Sequence, residues 1–578
     1  MNILGISCFY HDAAAALVQD GKLVAAAQEE RFTRKKHDQD FPKHAIDFCL
    51  KHAGAGPNDI DYVAFYDKPF IKFDRILQTY IATWPKGLLS FLKAMPVWIK
   101  EKIWIPQTIK SELDYEGEIL FAEHHVSHAA SAFLVSPFEE AAILTTDGVG
   151  EWDTTTYGIG RGNDVSLLKS IQFPHSLGLF YSAFTYYLGF KVNSAEYKVM
   201  GLAPYGEPRF YDLIMKELVT LDEDGSFHLN MRYFTYEYGL KMTGKNFSKL
   251  FGEPVREPES KLTQFHKDVA ASLQKATDAI MVKMAQHVEQ ETRMKYLCMA
   301  GGVALNCVSN SKILESTSFH DIFVQPAAGD AGGAVGVAYY VNNTILGNPR
   351  TYVMNDVFLG PEFSDEQIEN LLKSKNISYR KCDRHELLQE TGRLIADQKV
   401  VGWFQGRMEF GPRALGNRSI IADARNPKNQ SIVNLKIKFR ESFRPFAPTI
   451  LEDRMEEYFE FDRPGPFMLF VANVRPDKRV IPAVTHVDGS ARLQTISREQ
   501  NQLYYDLIAE FDRQTGCPVI INTSFNVRGE PIVCTPEDAW RCFMRTEMDC
   551  LVMGNFILEK GKLGSYREEV LEEKFELD

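Results

Sequence analysis

Three features that would narrow the class of protein are missing from this 578-residue sequence: clustered basic residues, closely spaced cysteine pairs and a long uncharged apolar run. Lys and Arg number 65 against 77 Asp and Glu, which gives a formal net charge of −12. This balance argues against a dedicated nucleic-acid surface, because phosphate binding needs clustered cations. The nine cysteines include no Cys-x-x-Cys pair, so we predict buried, reduced thiols and no zinc knuckle.

The most hydrophobic stretch, residues 81–105, falls short of a membrane span because charged residues interrupt it. No basic segment with an apolar core and a cleavage site opens the chain, so we expect a cytoplasmic protein without a membrane partner. Apolar residues make up 45% and charged residues 25%, as in ordinary globular proteins. The length exceeds what one hydrophobic core supports and predicts several folding units.

One pattern occurs twice in the first 172 residues. The first copy predicts strands at 2–7, 13–18 and 23–28, and the second predicts strands at 141–146, 154–159 and 165–172. Each copy has a polar loop after its first strand and a tight turn before its third. Such duplicated units are typical of the actin, sugar-kinase and Hsp70 superfamily. The sequence therefore predicts a mixed α/β protein whose N-terminal domain is a duplicated actin-like (ASKHA) fold.

His124 and His128 are four residues apart in a predicted helix, so their imidazoles lie on one face and suit a single cation. Two imidazoles alone rarely hold a metal. Asp147 follows the apolar run 141–146, and Asp330 follows the run 322–324, where loops gather at the carboxyl ends of a sheet. We predict a two-His, two-Asp metal site with open positions. The alternative is that His124 caps the helix and His128 packs in the core.

A glycine pair follows the predicted strand at 296–299. Gly301, Gly302 and Asn306 predict a tight turn and a helix start, where glycines allow close approach and free N–H groups face an anion or nucleotide. A Gly pair of this kind is often only a close contact between a helix and a strand, and that alternative stays open.

The pattern changes after residue 341. We predict a first domain at 1–360, a linker at 361–384 and a second domain at 385–578. The second domain concentrates cationic and small polar side chains beside glycines: Arg413, Lys438, Arg444, Arg492, Ser524 and Asn526. Guanidinium groups and Ser or Asn side chains suit oxyanions and a polyphosphate. The alternative is that each Arg pairs with a surface carboxylate.

The sequence resembles O-carbamoyltransferases of the nodulation and antibiotic-tailoring type nearly from end to end. The resemblance is carried by short motifs within 9–12, 29–38, 124–131, 197–206, 300–306, 329–333, 408–417 and 485–492. It implies a Kae1-like N-terminal domain and a YrdC-like α/β C-terminal domain. The second would form carbamoyl adenylate from carbamoyl phosphate and ATP with Mg²⁺, and the first would pass the carbamoyl group to a hydroxyl of a small-molecule acceptor, as in antibiotic biosynthesis.

The resemblance also implies roles for residues. Lys438, Arg444 and Arg492 would neutralise the phosphates, while Arg413, Ser524 and Asn526 orient them. The adenosine would lie against Gly301, Gly302 and Asn306. His11 would activate the acceptor or steady the carbamoyl carbonyl, with Lys36 adding charge. The metal on His124, His128, Asp147 and Asp330 is expected to be iron(II), although the ligand types also suit manganese or zinc.

Two alternatives remain at this stage. One is a fused tRNA threonylcarbamoyl transferase, against which the acidic balance counts. The other is a non-catalytic, actin-like nucleotide-binding scaffold, which leaves the arginine clusters after residue 400 unexplained. The oligomeric state is open, with a homodimer among the options.

Overall fold

The computed structural model describes residues 1–441 and 443–563, which form two compact units. The first unit comprises 1–29 and 37–354, and the second comprises 30–36 with the described residues from 355 onward. The sequence boundaries put 30–36 with the first domain, and here the structure differs. The reason lies in two side chains: the Arg31 guanidinium donates to the carbonyl of Gly411 at 2.8 Å, and that of Arg34 to the carbonyl of Ile532 at 2.8 Å. The predicted linker at 361–384 stays a prediction.

The first unit contains two five-stranded sheets and one short hairpin. Its strands are β1 (Asn2–Ser7), β2 (Ala14–Gln19), β3 (Lys22–Gln28), β4 (Tyr62–Phe65), β5 (Glu118–Phe121), β6 (Glu140–Thr146), β7 (Asp153–Arg161), β8 (Asp164–Gln172), β9 (Val219–Leu221), β10 (Phe227–Leu229), β11 (Tyr296–Ala300) and β12 (Asp321–Val324).

The two sheets have the same topology. The first has the order β3-β2-β1-β4-β5 and the second the mirror sequence β12-β11-β6-β7-β8. In each, three consecutive strands pair antiparallel and two later strands add in parallel. The predicted strands of both copies are present within a residue or two. The duplicated, mixed α/β fold is therefore confirmed, because short apolar runs bounded by turn residues mark most of these strands, which are largely buried.

Thirteen helices precede residue 340. They are α1 (Glu30–Thr33), which belongs to the second unit, and α2 (Lys43–His52), α3 (Pro69–Ala82), α4 (Leu88–Lys100), α5 (Ile105–Leu113), α6 (His124–Phe133), α7 (Leu177–Tyr187), α8 (Glu196–Leu202), α9 (Tyr211–Glu217), α10 (Lys245–Phe251), α11 (Gln264–Thr292), α12 (Cys307–Ser316) and α13 (Asp330–Tyr339).

Helix α13 packs tightly against β1 and α6. A Cβ atom added at Gly336 would lie 1.9 Å from the carbonyl oxygen of Ser127 in α6, so only glycine permits this approach. The close packing brings the starts of two helices together, because α6 begins at His124 and α13 begins at Asp330. The first turns of the two helices therefore lie close together.

The second unit is built on a ten-stranded mixed sheet with the order β13-β22-β21-β14-β15-β20-β16-β19-β18-β17. Its strands are β13 (Arg380–Lys381), β14 (Val401–Phe404), β15 (Arg418–Asp423), β16 (Ala447–Leu451), β17 (Phe459–Glu460), β18 (Phe470–Val474), β19 (Ser490–Ile496), β20 (Val519–Ser524), β21 (Cys550–Met553) and β22 (Phe556–Glu559). Its helices are α14 (Asp365–Ser374), α15 (Arg384–Ala396), α16 (Lys428–Ile432), α17 (Met455–Tyr458), α18 (Gln502–Thr515) and α19 (Pro536–Arg545). The expected YrdC-like character of this unit stays a prediction.

All nine cysteines are buried and form no disulfide, which confirms the expectation of reduced thiols. Within residues 1–441 and 443–563, every helix is too short or too polar to span a bilayer.

Candidate metal centre and anion cluster

The structure brings the four predicted metal ligands together in the first unit. One donor atom from each of His124, His128, Asp147 and Asp330 lies within 4.8 Å of the other three. The Nε2 atoms of the two histidines face each other at 3.1 Å, and the Nε2 atom of His124 lies 3.2 Å from Oδ2 of Asp147. Oδ1 of Asp330 lies 3.8 Å from both Nε2 atoms. Two nitrogen and two oxygen donors around one point are a donor set that divalent transition metals accept.

Each ligand is positioned by the end of a regular element. His124 and His128 lie one turn apart in α6, and both are 1% exposed. Asp147 follows β6 directly, and Asp330 is the first residue of α13. The Gly302 N–H donates to Oδ1 of Asp147 at 2.7 Å, which fixes this carboxylate. The donors are therefore held in place by the backbone around them, as a preorganised site requires.

The pKa values of the cluster indicate that its two histidines hold one positive charge between them. Burial opposes protonation of His124, but a hydrogen bond to Asp147 and the nearby carboxylate of Asp67 raise the pKa of His124 to about 10. Burial and the neighbouring His124 charge lower the pKa of His128 to about 3. Burial also raises the pKa of Asp330 to about 6 against the opposing effect of His124. A cation bound between these groups would replace the shared proton.

Behind His124 lies a buried charged network that sequence reasoning missed. Nδ1 of His124 lies 3.6 Å from Oδ2 of Asp67, which forms an ion pair with Lys72. Both carboxylate oxygens of Glu151 accept the backbone N–H of His124 at 3.1 Å. A carboxylate on the far nitrogen of a ligand histidine fixes its tautomer and orientation. Only part of this signal lies in the sequence: Asp67 lies two residues after the end of β4, in a loop of the same kind as that of Asp147, but this position does not by itself place it against His124.

The predicted adenosine residues have well-defined local roles. Gly301 has a φ of 92°, and a Cβ atom there would lie 2.2 Å from the carbonyl oxygen of Thr146. The Oδ1 atom of Asn306 caps α12 by accepting from the N–H of Ser309, and its amide exchanges hydrogen bonds with Gln274. Both polar ends of the Asn306 side chain are thus engaged within the protein. Nucleotide binding by this loop stays a prediction.

The two predicted catalytic residues fall in different units. His11 lies in the loop after β1, where its Nδ1 is 3.1 Å from Oδ2 of Asp12 and its Nε2 donates to the carbonyl of Asn193 at 2.8 Å. Burial opposes the charge, but Asp12 raises the pKa of His11 to about 10. Lys36 is the last residue of the segment 30–36 in the second unit. Their catalytic roles stay predictions.

In the second unit, three of the predicted anion-binding residues form one cluster. Nζ of Lys438 donates to the carbonyls of Ser524 and Asn526 at 2.6 and 2.8 Å, and it also contacts the hydroxyl of Ser524 at 3.2 Å. Burial and the charges of Arg440 and Arg444 hold the pKa of Lys438 well below its usual range. Several cations are thus gathered in a place with little water, an arrangement that an anion would stabilise. Arg440 was not among the residues predicted for this role.

Of the three remaining predicted residues, Arg444 adds its charge to the Lys438 cluster, whereas Arg413 and Arg492 lie on other elements of the second unit. Arg413 lies in the loop between β14 and β15, which is organised by Glu409, whose Oε1 accepts the N–H groups of Leu415 and Asn417 at 2.7 and 2.8 Å. Arg492 lies on β19, opposite Val471 of β18. Its charge contributes, after burial, to the low pKa of His486, which is about 4.

The fold and the two clusters define a two-unit α/β protein with a group of two histidines and two aspartates on a duplicated unit and a cluster around Lys438 on a mixed sheet. Residues 2–339 match the family model for the carbamoyltransferase N-terminus, and residues 392–560 match that for the carbamoyltransferase C-terminus. The chain belongs to the carbamoyltransferase family, and the resemblance stated from its motifs is confirmed.

Relatives from bacteria support this placement. An uncharacterized protein of Synechocystis sp. is 52% identical over the full length of both chains. Nodulation protein NolNO of Sinorhizobium fredii is 40% identical, with 96% of this chain and 79% of that protein covered. Nodulation protein U of Rhizobium tropici is 30% identical, with 94% and 93% covered.

Proposed function

We propose that the protein is an ATP-dependent O-carbamoyltransferase that forms carbamoyl adenylate from carbamoyl phosphate and ATP and transfers the carbamoyl group to a hydroxyl of a small molecule. Nitrogen donation deactivates a carbamoyl carbonyl, so a good leaving group such as AMP is needed before a hydroxyl can attack. A natural-product acceptor of the kind carbamoylated in antibiotic biosynthesis is the substrate class we favour.

Adenylate formation belongs to the second unit in this proposal. The cations would balance the charge of carbamoyl phosphate and of Mg²⁺-bound ATP, as phosphoryl chemistry requires. The polar side chains beside them would orient the phosphates. The residues proposed for these roles are Arg413, Lys438, Arg444, Arg492, Ser524 and Asn526.

Transfer belongs to the first unit. A divalent metal held by His124, His128, Asp147 and Asp330, iron(II) in our proposal, would supply a Lewis acid for the adenylate phosphate. The fit is supported by two buried Nε2 atoms that face each other with two carboxylates beside them. Gly301, Gly302 and Asn306 would contact the adenosine, and His11 would stabilise charge on the carbamoyl oxygen.

The observation that carries the proposal is the buried Lys438 cluster. The protein has a net charge of −12, yet it places Lys438 near Arg440 and Arg444, and burial together with their charges holds the pKa of Lys438 well below its usual range. A structural core gains nothing from such like charges, whereas a polyanionic substrate compensates them.

The test is exchange of labelled pyrophosphate into ATP. We expect exchange that depends strictly on carbamoyl phosphate and needs no acceptor. Exchange that ignores carbamoyl phosphate would contradict the proposed donor, and the absence of exchange under all conditions would support the scaffold alternative. Labelled carbamoyl phosphate and a panel of hydroxylated metabolites would then identify the acceptor, and label found on tRNA instead would favour the tRNA-modifying alternative.

A further inference from the structure

We propose that His37, oriented by Asp12, is the general base that takes the proton from the acceptor hydroxyl in the transfer step. The inference rests on the proposed function and adds a catalytic residue to it. It follows from a hydrogen-bonded chain within the first unit that joins Ser194, His37 and Asp12.

The geometry fixes the proton positions. Nδ1 of His37 lies 2.8 Å from Oδ1 of Asp12, and Nε2 of His37 lies 3.0 Å from the hydroxyl oxygen of Ser194. Because an ionised carboxylate only accepts hydrogen bonds, the proton of the ring lies on Nδ1. Nε2 therefore carries the lone pair and accepts from the Ser194 hydroxyl. A carboxylate, an imidazole and a hydroxyl in this order form the arrangement that activates hydroxyl groups in enzymes.

The neighbouring imidazole of His11 lacks this property. Its Nε2 faces a backbone carbonyl, that of Asn193, and its Nδ1 faces the other oxygen of Asp12. Both partners are acceptors, so both nitrogens of His11 donate and neither is available to take a proton. The ring centroids of the two histidines are 4.9 Å apart. In our proposal His11 is the cation and His37 is the base.

The backbone around this chain is strained and tied down. Asp12, His37 and Asn193 have φ values of 37°, 55° and 60°, in the left-handed region that costs a non-glycine residue about 1–2 kcal/mol. The N–H of Ala13 donates to the carbonyl of Asp38 at 2.7 Å, which joins the two loops. Strain of this kind persists where the surroundings enforce it and is concentrated at functional sites.

The hydroxyl next to His37 is better explained as a positional guide than as a covalent carrier. A carbamate ester on Ser194 would again be a deactivated carbonyl, so the energy of the adenylate would be lost. In the proposed step the acceptor hydroxyl replaces the Ser194 hydroxyl as the donor to Nε2 of His37. The acceptor oxygen forms a bond to the carbamoyl carbon, and the bond from that carbon to the phosphate oxygen breaks. AMP leaves with the electron pair, and the acceptor proton moves to Nε2 of His37.

The test compares two nucleophiles that differ in their need for a base. Water needs a base to attack carbamoyl adenylate at neutral pH, whereas hydroxylamine attacks without one and yields N-hydroxyurea. We expect His37→Gln to slow AMP release to water by about 100-fold or more, the usual contribution of a general base, and to leave ATP-dependent hydroxyurea formation within about threefold of wild type. Pyrophosphate exchange should be unchanged.

Three variants complete the design. Asp12→Asn should slow the reaction with water at least as much as His37→Gln, because it favours the wrong tautomer of His37. It should also slow the hydroxylamine reaction, because the charge of His11 loses its carboxylate partner. Ser194→Ala should retain transfer to water, since the hydroxyl is not a carrier. His228→Gln is the matched control, because His228 is an exposed histidine 3.7 Å from a carboxylate of Asp222, and it should behave as wild type.

Several results would overturn the inference. If His37→Gln lost the reactions with water and with hydroxylamine equally, His37 would not be a base, but the proposed function would stand. Loss of both reactions in Ser194→Ala would likewise contradict this inference and leave the proposed function intact. The group His11, Asp12 and His37 also has the spacing of a cation site. If Asp12→Asn lost a second equivalent of bound metal, this group would be a cation site, and the base role of His37 would be wrong. Wild-type protein without exchange or hydroxyurea formation would overturn the proposed function, and this inference with it.

Discussion

The two ring nitrogens of His124 face different groups. Its Nε2 faces His128 and Asp147, while its Nδ1 faces the buried carboxylate of Asp67. The spacing of two histidines predicted the first contact, because residues four apart share a helix face. The second contact joins residues 57 positions apart, and the parallel pairing of β4 with β5, in which Phe65 lies opposite Phe121, brings Asp67 there.

Asp67 provides the prediction at this scale. We expect Asp67→Asn to weaken metal binding by about 10- to 100-fold, because the amide no longer fixes the ligand tautomer of His124. Competition with a chelator measures the affinity. The double variant Asp67→Asn/Lys72→Met removes the ion pair without leaving a buried charge and keeps the test valid if the single variant is unstable. Exposed Asp74→Asn on α3 is the control, and equal affinities in all variants would contradict the prediction.

At the scale of elements, several of the residues proposed for metal and adenosine binding lie in loops that follow strands. Asp147 follows β6, the pair Gly301 and Gly302 follows β11, and Asp330 begins α13 after β12. These strands are neighbours in the order β12-β11-β6, so their carboxyl ends lie side by side. Sequence reasoning reached these loops because each follows a short apolar run.

Gly301 allows a test of how tightly these loops are packed. Gly301→Ala forces a Cβ atom against the Thr146 carbonyl at a φ of 92°, and we expect it to lower the free energy of unfolding by about 3 kcal/mol. Gly329→Ala, in the adjacent loop, is the matched control, because no atom lies within 4 Å of its added Cβ. Its cost should stay below about 1 kcal/mol. Chemical denaturation of both variants measures the difference, and equal stabilities would refute the packing argument.

At the scale of the whole molecule, the two proposed half-reactions use residues of two separate compact units. The four proposed metal ligands belong to the first unit, and the Lys438 cluster belongs to the second. The two units do not simply follow each other along the chain, because residues 30–36 belong with the second unit. Arg34 there bonds the carbonyl of Pro531 at 2.8 Å and the carboxylate of Glu530 at 3.1 Å.

Separate units predict separable defects. His128→Ala should lose bound metal and acceptor carbamoylation but keep carbamoyl-phosphate-dependent pyrophosphate exchange. Lys438→Ala should lose exchange, because no cation remains at that position to balance the phosphates. It should keep its metal. Metal analysis and exchange assays measure both properties.

Matched controls are available in both units. Exposed Lys436→Ala, two residues from Lys438 and paired with Glu547, should retain exchange. Exposed His228→Ala should retain metal. If His128→Ala carbamoylated its acceptor at the wild-type rate, the assignment of the metal ligands would be wrong.

The sequence by itself determined the local elements, the duplication and the residue types that end each strand, because periodicity and turn chemistry are written in neighbouring residues. It placed His124, His128, Asp147 and Asp330 in one site through the rule that strand ends share an edge. It did not reveal Asp67 behind His124, the chain from Ser194 through His37 to Asp12, or the membership of 30–36 in the second unit. Those depend on contacts between residues far apart in the chain, which only tertiary packing decides.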